Sequence, residues 1–89
     1  MPYIRAELRP DIDRLVAPLI EHLADADDGS VNYAITRLLH GVYGREVRYE
    51  RLNRAMGVLG CVQAEFYRRV AAPYEDQKIA ENGDVAVGR

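Results

Sequence analysis

The sequence predicts an all-α protein: a small bundle of three main helices followed by a short C-terminal helix after a proline kink. Two observations predict this fold. Apolar residues recur with the i, i+3, i+4, i+7 spacing of an amphipathic helix in three successive segments. Short polar connections rich in Gly, Asp and Arg separate these segments. The chain has 89 residues, so we assign residues 1–89 to a single helical domain.

Composition restricts the class of protein further. Both signs of charge are mixed, with 29% charged residues and a net charge of −2. Cys61 is the one cysteine, which excludes an internal disulfide and a zinc site built from cysteines. The N-terminus lacks the apolar core of a signal peptide, and no apolar run reaches the length of a membrane span. We therefore expect a cytoplasmic protein without a membrane partner.

Small size also predicts self-association. A chain this short leaves much of its apolar surface exposed when it folds alone, unless a disulfide, a metal or another chain supplies extra stability. The sequence offers neither a disulfide nor a recognisable metal motif. We therefore expect a homo-oligomer, with no cofactor and no metal.

The first helix is predicted from Pro10 to Ala24, after a lead-in over residues 1–9. Proline suits the first helical turn, where its missing N–H has no partner in any case. Pro18 lies opposite the apolar stripe, where a tolerated kink on the solvent side is the favoured interpretation. The stripe consists of Ile12, Leu15, Val16, Leu19, Ile20 and Leu23.

The second helix is predicted from Val31 to Tyr43, with Ser30 as its N-cap and Gly44 just beyond its end. The preceding acidic loop, residues 25–30, lacks the spacing of a calcium-binding loop, so we interpret it as a solvated turn. The apolar stripe of this helix is formed mainly by Val31, Ile35, Leu38 and Val42.

The third helix is predicted to begin near residues 48–50 and to run to Ala72. Its apolar stripe includes Leu52, Met56, Leu59, Phe66 and Val70. Gly57 and Gly60 lie beside that stripe, although each glycine costs a helix about 1 kcal/mol relative to alanine. Close approach of another backbone would explain both glycines. The neighbour could belong to the same chain or to a second copy, and the sequence leaves both alternatives open.

Pro73 is predicted to break or kink this helix, because the residue before a proline avoids the α conformation. A short final helix follows over residues 74–81, and Asn82-Gly83 is a strong stop signal. Residues 84–89 are expected to form a frayed tail.

The block around Pro73 is the strongest candidate for a functional site. Glu65 and Arg69 are four residues apart and are expected to pair, which leaves Arg68 for another partner. The kink would fold Tyr74 and Lys78 back toward the arginines. One hypothesis is a pocket for a phosphate-bearing small molecule, because guanidinium groups suit phosphate and tyrosine rings stack on bases. The alternative, which spacing alone favours, is a set of surface ion pairs that tether the last helix.

A second polar group lies beside the stripes of the second and third helices. It contains Asn32 and Arg37 on the second helix and Asn53 on the third, with Tyr33 and Arg54 beside them. Polar residues that border a core usually have partners. In a small oligomer, such residues can line a cleft between copies.

Other classes are less well supported by the sequence. No nucleophile has a matched base, so we predict no enzyme and no catalytic residue. His22 and His40 lack the companions of a metal site. Four arginines gather at the start of the third helix, but Glu46 and Glu50 interrupt them and the chain is acidic overall. We therefore expect no nucleic-acid partner, and nucleic-acid binding is kept as a minor alternative.

Two stretches carry a family resemblance: VNYAITRLL, residues 31–39, and EFYRRVAAPYEDQKIAENGD, residues 65–84. They resemble a family of short uncharacterised phage and bacterial proteins whose members typically open with MPYI, as this chain does. The resemblance covers nearly the whole chain, and residues 65–84 are its most specific part. It implies a lineage and carries no settled activity.

The chain is also similar in kind to the Sequestin and Lockin families, small phage proteins that sequester ADP-ribose-derived messengers of TIR-domain proteins in Thoeris defence. This similarity implies a non-enzymatic homo-oligomer with symmetric pockets for a nucleotide-derived small molecule. It implies that Arg68 or Arg69 holds the pyrophosphate, Tyr67 or Tyr74 stacks on adenine, and Asn32 or Asn53 reads ribose or base edges. The full expected binding set is Asn32, Arg37, Asn53, Tyr67, Arg68, Arg69, Tyr74 and Lys78. The alternative is a homo-oligomeric interaction or assembly module without a small-molecule ligand.

Overall fold

The computed structural model describes residues 2–85, and in this part of the chain all regular structure is helical. The four α-helices are α1 (Arg9–Leu23), α2 (Asp28–Tyr43), α3 (Tyr49–Phe66) and α4 (Ala72–Asn82). A 3₁₀ turn, Ala6–Leu8, precedes α1, and a π-helical turn, Tyr67–Ala71, joins α3 to α4. The prediction of a small all-α protein with three main helical segments is confirmed, since α3, the π turn and α4 form one uninterrupted segment. No helix in residues 2–85 is long and apolar enough to cross a membrane.

The lead-in to α1 contains a 3₁₀ turn, which the sequence did not predict. The guanidinium of Arg9 donates two hydrogen bonds to the Ile4 carbonyl oxygen, from Nε at 3.0 Å and from Nη2 at 2.7 Å. These bonds hold the incoming chain against the start of the helix. Pro10 lies in the first turn as predicted, and α1 continues through Pro18 without ending.

The α2 helix begins three residues earlier than the sequence predicted. Asp27 is the N-cap, and its Oδ1 accepts a hydrogen bond from the Ser30 backbone N–H at 2.8 Å. The prediction of Ser30 as the cap was wrong, because a carboxylate three residues upstream offers a charged acceptor at the positive end of the helix dipole. Hydrogen bonds from the Ser30 side chain and backbone lower the pKa of Asp27.

The turn between α2 and α3 is held by side chains of α3. The Gly44 N–H donates to the His40 carbonyl oxygen at 3.0 Å and closes α2 as expected for a helix end. Arg51 Nη2 donates to the Val42 carbonyl oxygen at 2.7 Å. The Arg54 guanidinium lies 6.0 Å from the centre of the Tyr43 ring, within cation–π distance. The start of α3 is therefore tied to the last turn of α2.

Pro73 does not end the helix, so of the predicted break or kink the break is not found. Ala72 has α-helical angles, φ −64° and ψ −45°, and its N–H donates to the carbonyl of Tyr67, five residues earlier. A proline ring in a helix collides with the carbonyl four residues before it. A π turn adds one residue to the preceding turn and widens it, so the helix passes the proline without stopping.

The end of α4 agrees with the predicted stop signal at Asn82-Gly83. Gly83 has φ 85°, a conformation that favours glycine, and its N–H donates to the Ile79 carbonyl oxygen at 2.8 Å. Of the predicted frayed tail, residues 86–89 lie outside the described part of the chain.

The chain divides into two compact units, Pro2–Gly57 and the residues from Val58 onward. In the first unit the apolar stripes are exposed: Leu15 and Met56 are each 67% exposed and Leu38 is 65% exposed. In the second unit Phe66 is 63% exposed. No side chain in residues 2–85 is buried, so neither unit has a hydrophobic core of its own.

The two glycines of α3 have no neighbour in the described chain. A Cβ atom added to Gly57 or to Gly60 would meet nothing within 4 Å. Of the two alternatives for these glycines, the close approach of a backbone from the same chain is not found. A second copy remains as the possible neighbour.

Candidate functional site

The predicted binding residues fall into both units. Asn32, Arg37 and Asn53 belong to the unit Pro2–Gly57, and the other five belong to the unit that begins at Val58. Each group has its own surroundings and is described separately.

In the second unit, Glu65 pairs with Arg68 and not with Arg69. The distance from Arg68 Nη2 to Glu65 Oε1 is 2.9 Å. The sequence-based pairing assumed a regular α-helix, whereas the π turn begins at Tyr67 and changes the direction of every side chain after it. Arg69 forms no hydrogen bond or ion pair with the described residues. The arginine left for another partner is therefore Arg69, whereas Arg68 was predicted.

Tyr67 and Glu75 form a side-chain pair that spans Pro73. The tyrosine O–H donates to Glu75 Oε1 at 2.6 Å. This hydrogen bond raises the pKa of Tyr67, and the negative charges of Glu75 and Asp76 act in the same direction. Residues eight apart in a regular α-helix are separated by about 12 Å along the axis. Sequence reasoning therefore searches spacings of three and four and misses this pair.

Tyr74 and Lys78 contact each other one turn apart on α4. Lys78 Nζ lies 5.6 Å from the centre of the Tyr74 ring and 3.0 Å from Glu81 Oε2. The Lys78 amine thus has its contacts within α4. The expected folding of Tyr74 and Lys78 toward the arginines has no counterpart among these contacts.

The electrostatics near Pro73 do not favour a phosphate site. A shallow concavity beside Tyr67 brings Glu75, Asp76 and Asp84 together with Lys78 as its one cation among the lining residues. Three carboxylates against one amine would repel a pyrophosphate. Of the contacts near Pro73, the Tyr67–Glu75 hydrogen bond is the one that ties α4 to the segment before it.

In the first unit, Asn32 and Asn53 differ in their hydrogen bonding. Asn32 Oδ1 accepts a hydrogen bond from Thr36 Oγ1 at 3.0 Å, one turn along α2. Asn53 is exposed on α3 and forms no hydrogen bond with the described residues. Neither amide has a second predicted binding residue among its hydrogen-bond partners.

Arg37 lines a concavity that has both apolar and polar walls. This concavity has a volume of about 660 Å³ and lies between the end of α1 and the start of α2. Leu19, Leu23 and Ala34 form its apolar walls. Tyr33 adds an aromatic ring, His22 an imidazole and Arg37 a guanidinium. Asp27 also lines it, but Oδ1 of this carboxylate is engaged by the Ser30 N–H. Arg37 forms no hydrogen bond or ion pair with residues 2–85.

The arginine cluster at the start of α3 is mostly engaged within the chain. Arg48 Nε lies 3.3 Å from Glu46 and 3.5 Å from Glu50, and Arg51 and Arg54 hold the end of α2. Of the four arginines, Arg45 alone lacks a partner among the described residues. Three of the four arginines therefore have a contact within the chain.

A metal site is not formed in the described chain: no three His, Cys, Asp or Glu side chains of residues 2–85 come together to hold a metal ion. The arrangement near Arg37 therefore offers binding through apolar contact, stacking and one guanidinium.

Residues 1–85 match the model of a family described as a Domain of unknown function (DUF6899). The chain belongs to the DUF6899 family. No curated protein and no solved structure matches this DUF6899 chain. The family description assigns no activity, so the similarity to signal-sequestering phage proteins stays a hypothesis. The function of this DUF6899 protein has to be argued from its surfaces.

Proposed function

We propose that this chain is a non-enzymatic homo-oligomeric interaction module whose copies complete each other's hydrophobic core. One observation carries the proposal: no side chain in residues 2–85 is buried, although 48% of all residues are hydrophobic. A chain that buries no apolar side chain gains little of the free energy that offsets the entropy lost on folding. Its amphipathic helices therefore require an apolar partner.

The exposed apolar side chains indicate what such a partner would cover. Leu15 and Met56 are each 67% exposed and Leu38 is 65% exposed. A second copy carries the same exposed stripes, so an assembly of copies would supply the missing apolar contacts.

Polar contacts within the chain support the same proposal. Many charged groups are engaged within one or two helical turns, as in Arg68 with Glu65, Tyr67 with Glu75 and Lys78 with Glu81. These groups need no partner chain. The apolar stripes remain as the surfaces that gain most from one.

Light scattering and sedimentation over a range of concentrations test the proposal. We expect an oligomer whose helical circular dichroism falls on dilution, because folding and association are coupled. A monodisperse monomer that keeps its full helical signal at all concentrations would contradict the proposal.

A second candidate function is the sequestration of a nucleotide-derived signal by this oligomer, for example an ADP-ribose-derived messenger. The observation that favours it is the concavity that holds Tyr33 and Arg37, since a ring can stack on a base and an unengaged guanidinium suits a phosphate. The nearby apolar walls could cover a ribose or base face. We therefore propose the ligand site at Arg37 and not at Arg68.

A thermal-shift panel tests this second function. ADP-ribose, cyclic ADP-ribose isomers and cyclic dinucleotides are added to the wild type and to two variants, Arg37→Ala and Arg45→Ala. A ligand at one hundred times its dissociation constant adds about 2.7 kcal/mol to the free energy of unfolding. We expect a shift in the wild type that Arg37→Ala removes and Arg45→Ala retains. Unchanged melting with every nucleotide would rule the function out.

A further inference from the structure

We infer that a second copy of the chain lies across α1, so that the basic segment 37–54 of each copy faces the acidic segment 7–28 of the other. The inference rests on the proposed self-association and adds which surfaces meet. It commits to a copy of this chain as the occupant of the α1 stripe.

The distribution of charge is the first argument. Segment 7–28 holds seven acidic and two basic side chains, a net charge of −5, whereas segment 37–54 holds five arginines and two glutamates, a net charge of +3. Among the described residues no ion pair joins the two segments within one chain: Asp11 pairs with Arg14, and Arg48 pairs with Glu46 and Glu50. The opposite charges of the two segments therefore form no ion pair with each other among the described residues of one copy.

The apolar stripe of α1 is the second argument. Ile12, Leu15 and Ile20 are more than half exposed. By helical spacing, Asp11 lies on one side of this stripe and Asp13 on the other. Leu38 and Val42, in the basic segment, are also more than half exposed. Each segment thus combines exposed apolar side chains with charged ones, and the net charges of the two segments have opposite signs. That combination is typical of complementary interfaces.

A second copy fits these surfaces because every copy carries both of them. In a two-fold arrangement the acidic segment of the first copy meets the basic segment of the second, and the reverse contact follows by symmetry. The two contacts together contribute to the large surface that two copies need to cover. A different protein would have to reproduce both signs of charge in the same order.

Charge reversal tests the inference. One variant carries Asp11→Lys with Asp13→Lys, and the other carries Arg37→Glu with Arg45→Glu, two arginines without partners in residues 2–85. Self-association of each is followed by sedimentation and native mass spectrometry at low salt. We expect the dissociation constant of each variant alone to rise about tenfold or more, because like charges then face each other.

The equimolar mixture is the decisive sample. Both contacts are complementary in a pair with one chain of each variant, so we expect mixed oligomers at wild-type concentrations, with recovery of helical circular dichroism if the separate variants unfold. High salt should weaken the preference for mixed species. A matched control compares Asp13→Lys, beside the stripe, with Glu21→Lys, on the opposite side of α1, where we expect association close to that of the wild type.

The possible results separate the two proposals. If the wild type is a stable monomer, both the proposed function and this inference are wrong. If the wild type is an oligomer but the charge variants associate like it, or fail to form mixed species, the proposed function stands and the inference about α1 is overturned.

Discussion

At the scale of single residues, several polar groups pair with groups close by in sequence. Asp27 caps α2 through Ser30, and Tyr67 reaches Glu75 across the π turn. Both pairs shift a pKa in the direction that keeps the hydrogen bond: the pKa of Asp27 is lowered and that of Tyr67 is raised. These residues stabilise local helical structure, whereas the apolar stripes stay exposed in the single chain.

The Tyr67 hydrogen bond makes a testable prediction about alkaline pH. Because the folded state raises the pKa of this phenol above its ordinary value of 10.0, the bond contributes stability below that pH. The contribution is lost as the pH rises through the raised pKa of the folded protein. In an ultraviolet titration we expect one tyrosine to ionise later than in the variant Glu75→Gln, in which the carboxylate is absent.

Two variants assign that late ionisation. Tyr67→Phe should remove the late phase, and Tyr3→Phe should retain it because Tyr3 lies at the other end of the chain. A titration curve that Glu75→Gln leaves unchanged would show that the Tyr67–Glu75 bond is not formed in solution.

At the scale of elements, the spacing of apolar residues predicted the helices. Their ends depend on which of several neighbouring residues caps or interrupts the helix. The stripe from Ile12 to Leu23 lies on one helix, as its spacing indicated. The start of α2 was misjudged because several residues in the acidic loop can cap a helix, and only the geometry selects Asp27. Pro73 was predicted to break or kink the helix, because sequence rules compare α-helix with coil and do not weigh a π turn.

Gly57 and Gly60 give the prediction at this scale. If no other backbone approaches them, Gly57→Ala and Gly60→Ala should each raise the free energy of unfolding by about 1 kcal/mol through helix propensity. We expect the opposite result, a lower stability and weaker association, because a second copy then meets the added methyl groups. Denaturant unfolding at several protein concentrations measures both effects.

An exposed position provides the comparison for these glycines. Gln77→Ala, on α4, should change the free energy of unfolding by no more than about 0.5 kcal/mol and should leave association intact. A gain of stability in both glycine variants, without loss of the oligomer, would remove α3 from the interface.

At the scale of the whole molecule, the sequence predicted which faces are apolar but could not predict what covers them. A stripe such as that of α1 fits equally well against a helix of its own chain or against another copy, since burial depends on tertiary placement and not on spacing. The candidate site was likewise predicted only in part. Arg37 was predicted for its polar character beside a stripe, whereas the apolar walls around it, Leu19 and Leu23, come from a different helix and needed the structure.

The apolar stripe makes the last prediction. Leu15 is 67% exposed in a single chain, so Leu15→Ala should cost a monomer little, within about 0.5 kcal/mol as for other surface substitutions. If a second copy covers α1, the same change removes a buried side chain and should cost about 2–5 kcal/mol per site. We expect the larger loss, together with a melting temperature that falls on dilution. Glu21→Ala, on the opposite side of α1, serves as the control and should melt like the wild type. Calorimetry at two concentrations decides between the outcomes: a small, concentration-independent effect of Leu15→Ala would mean that the stripe of α1 stays exposed to water.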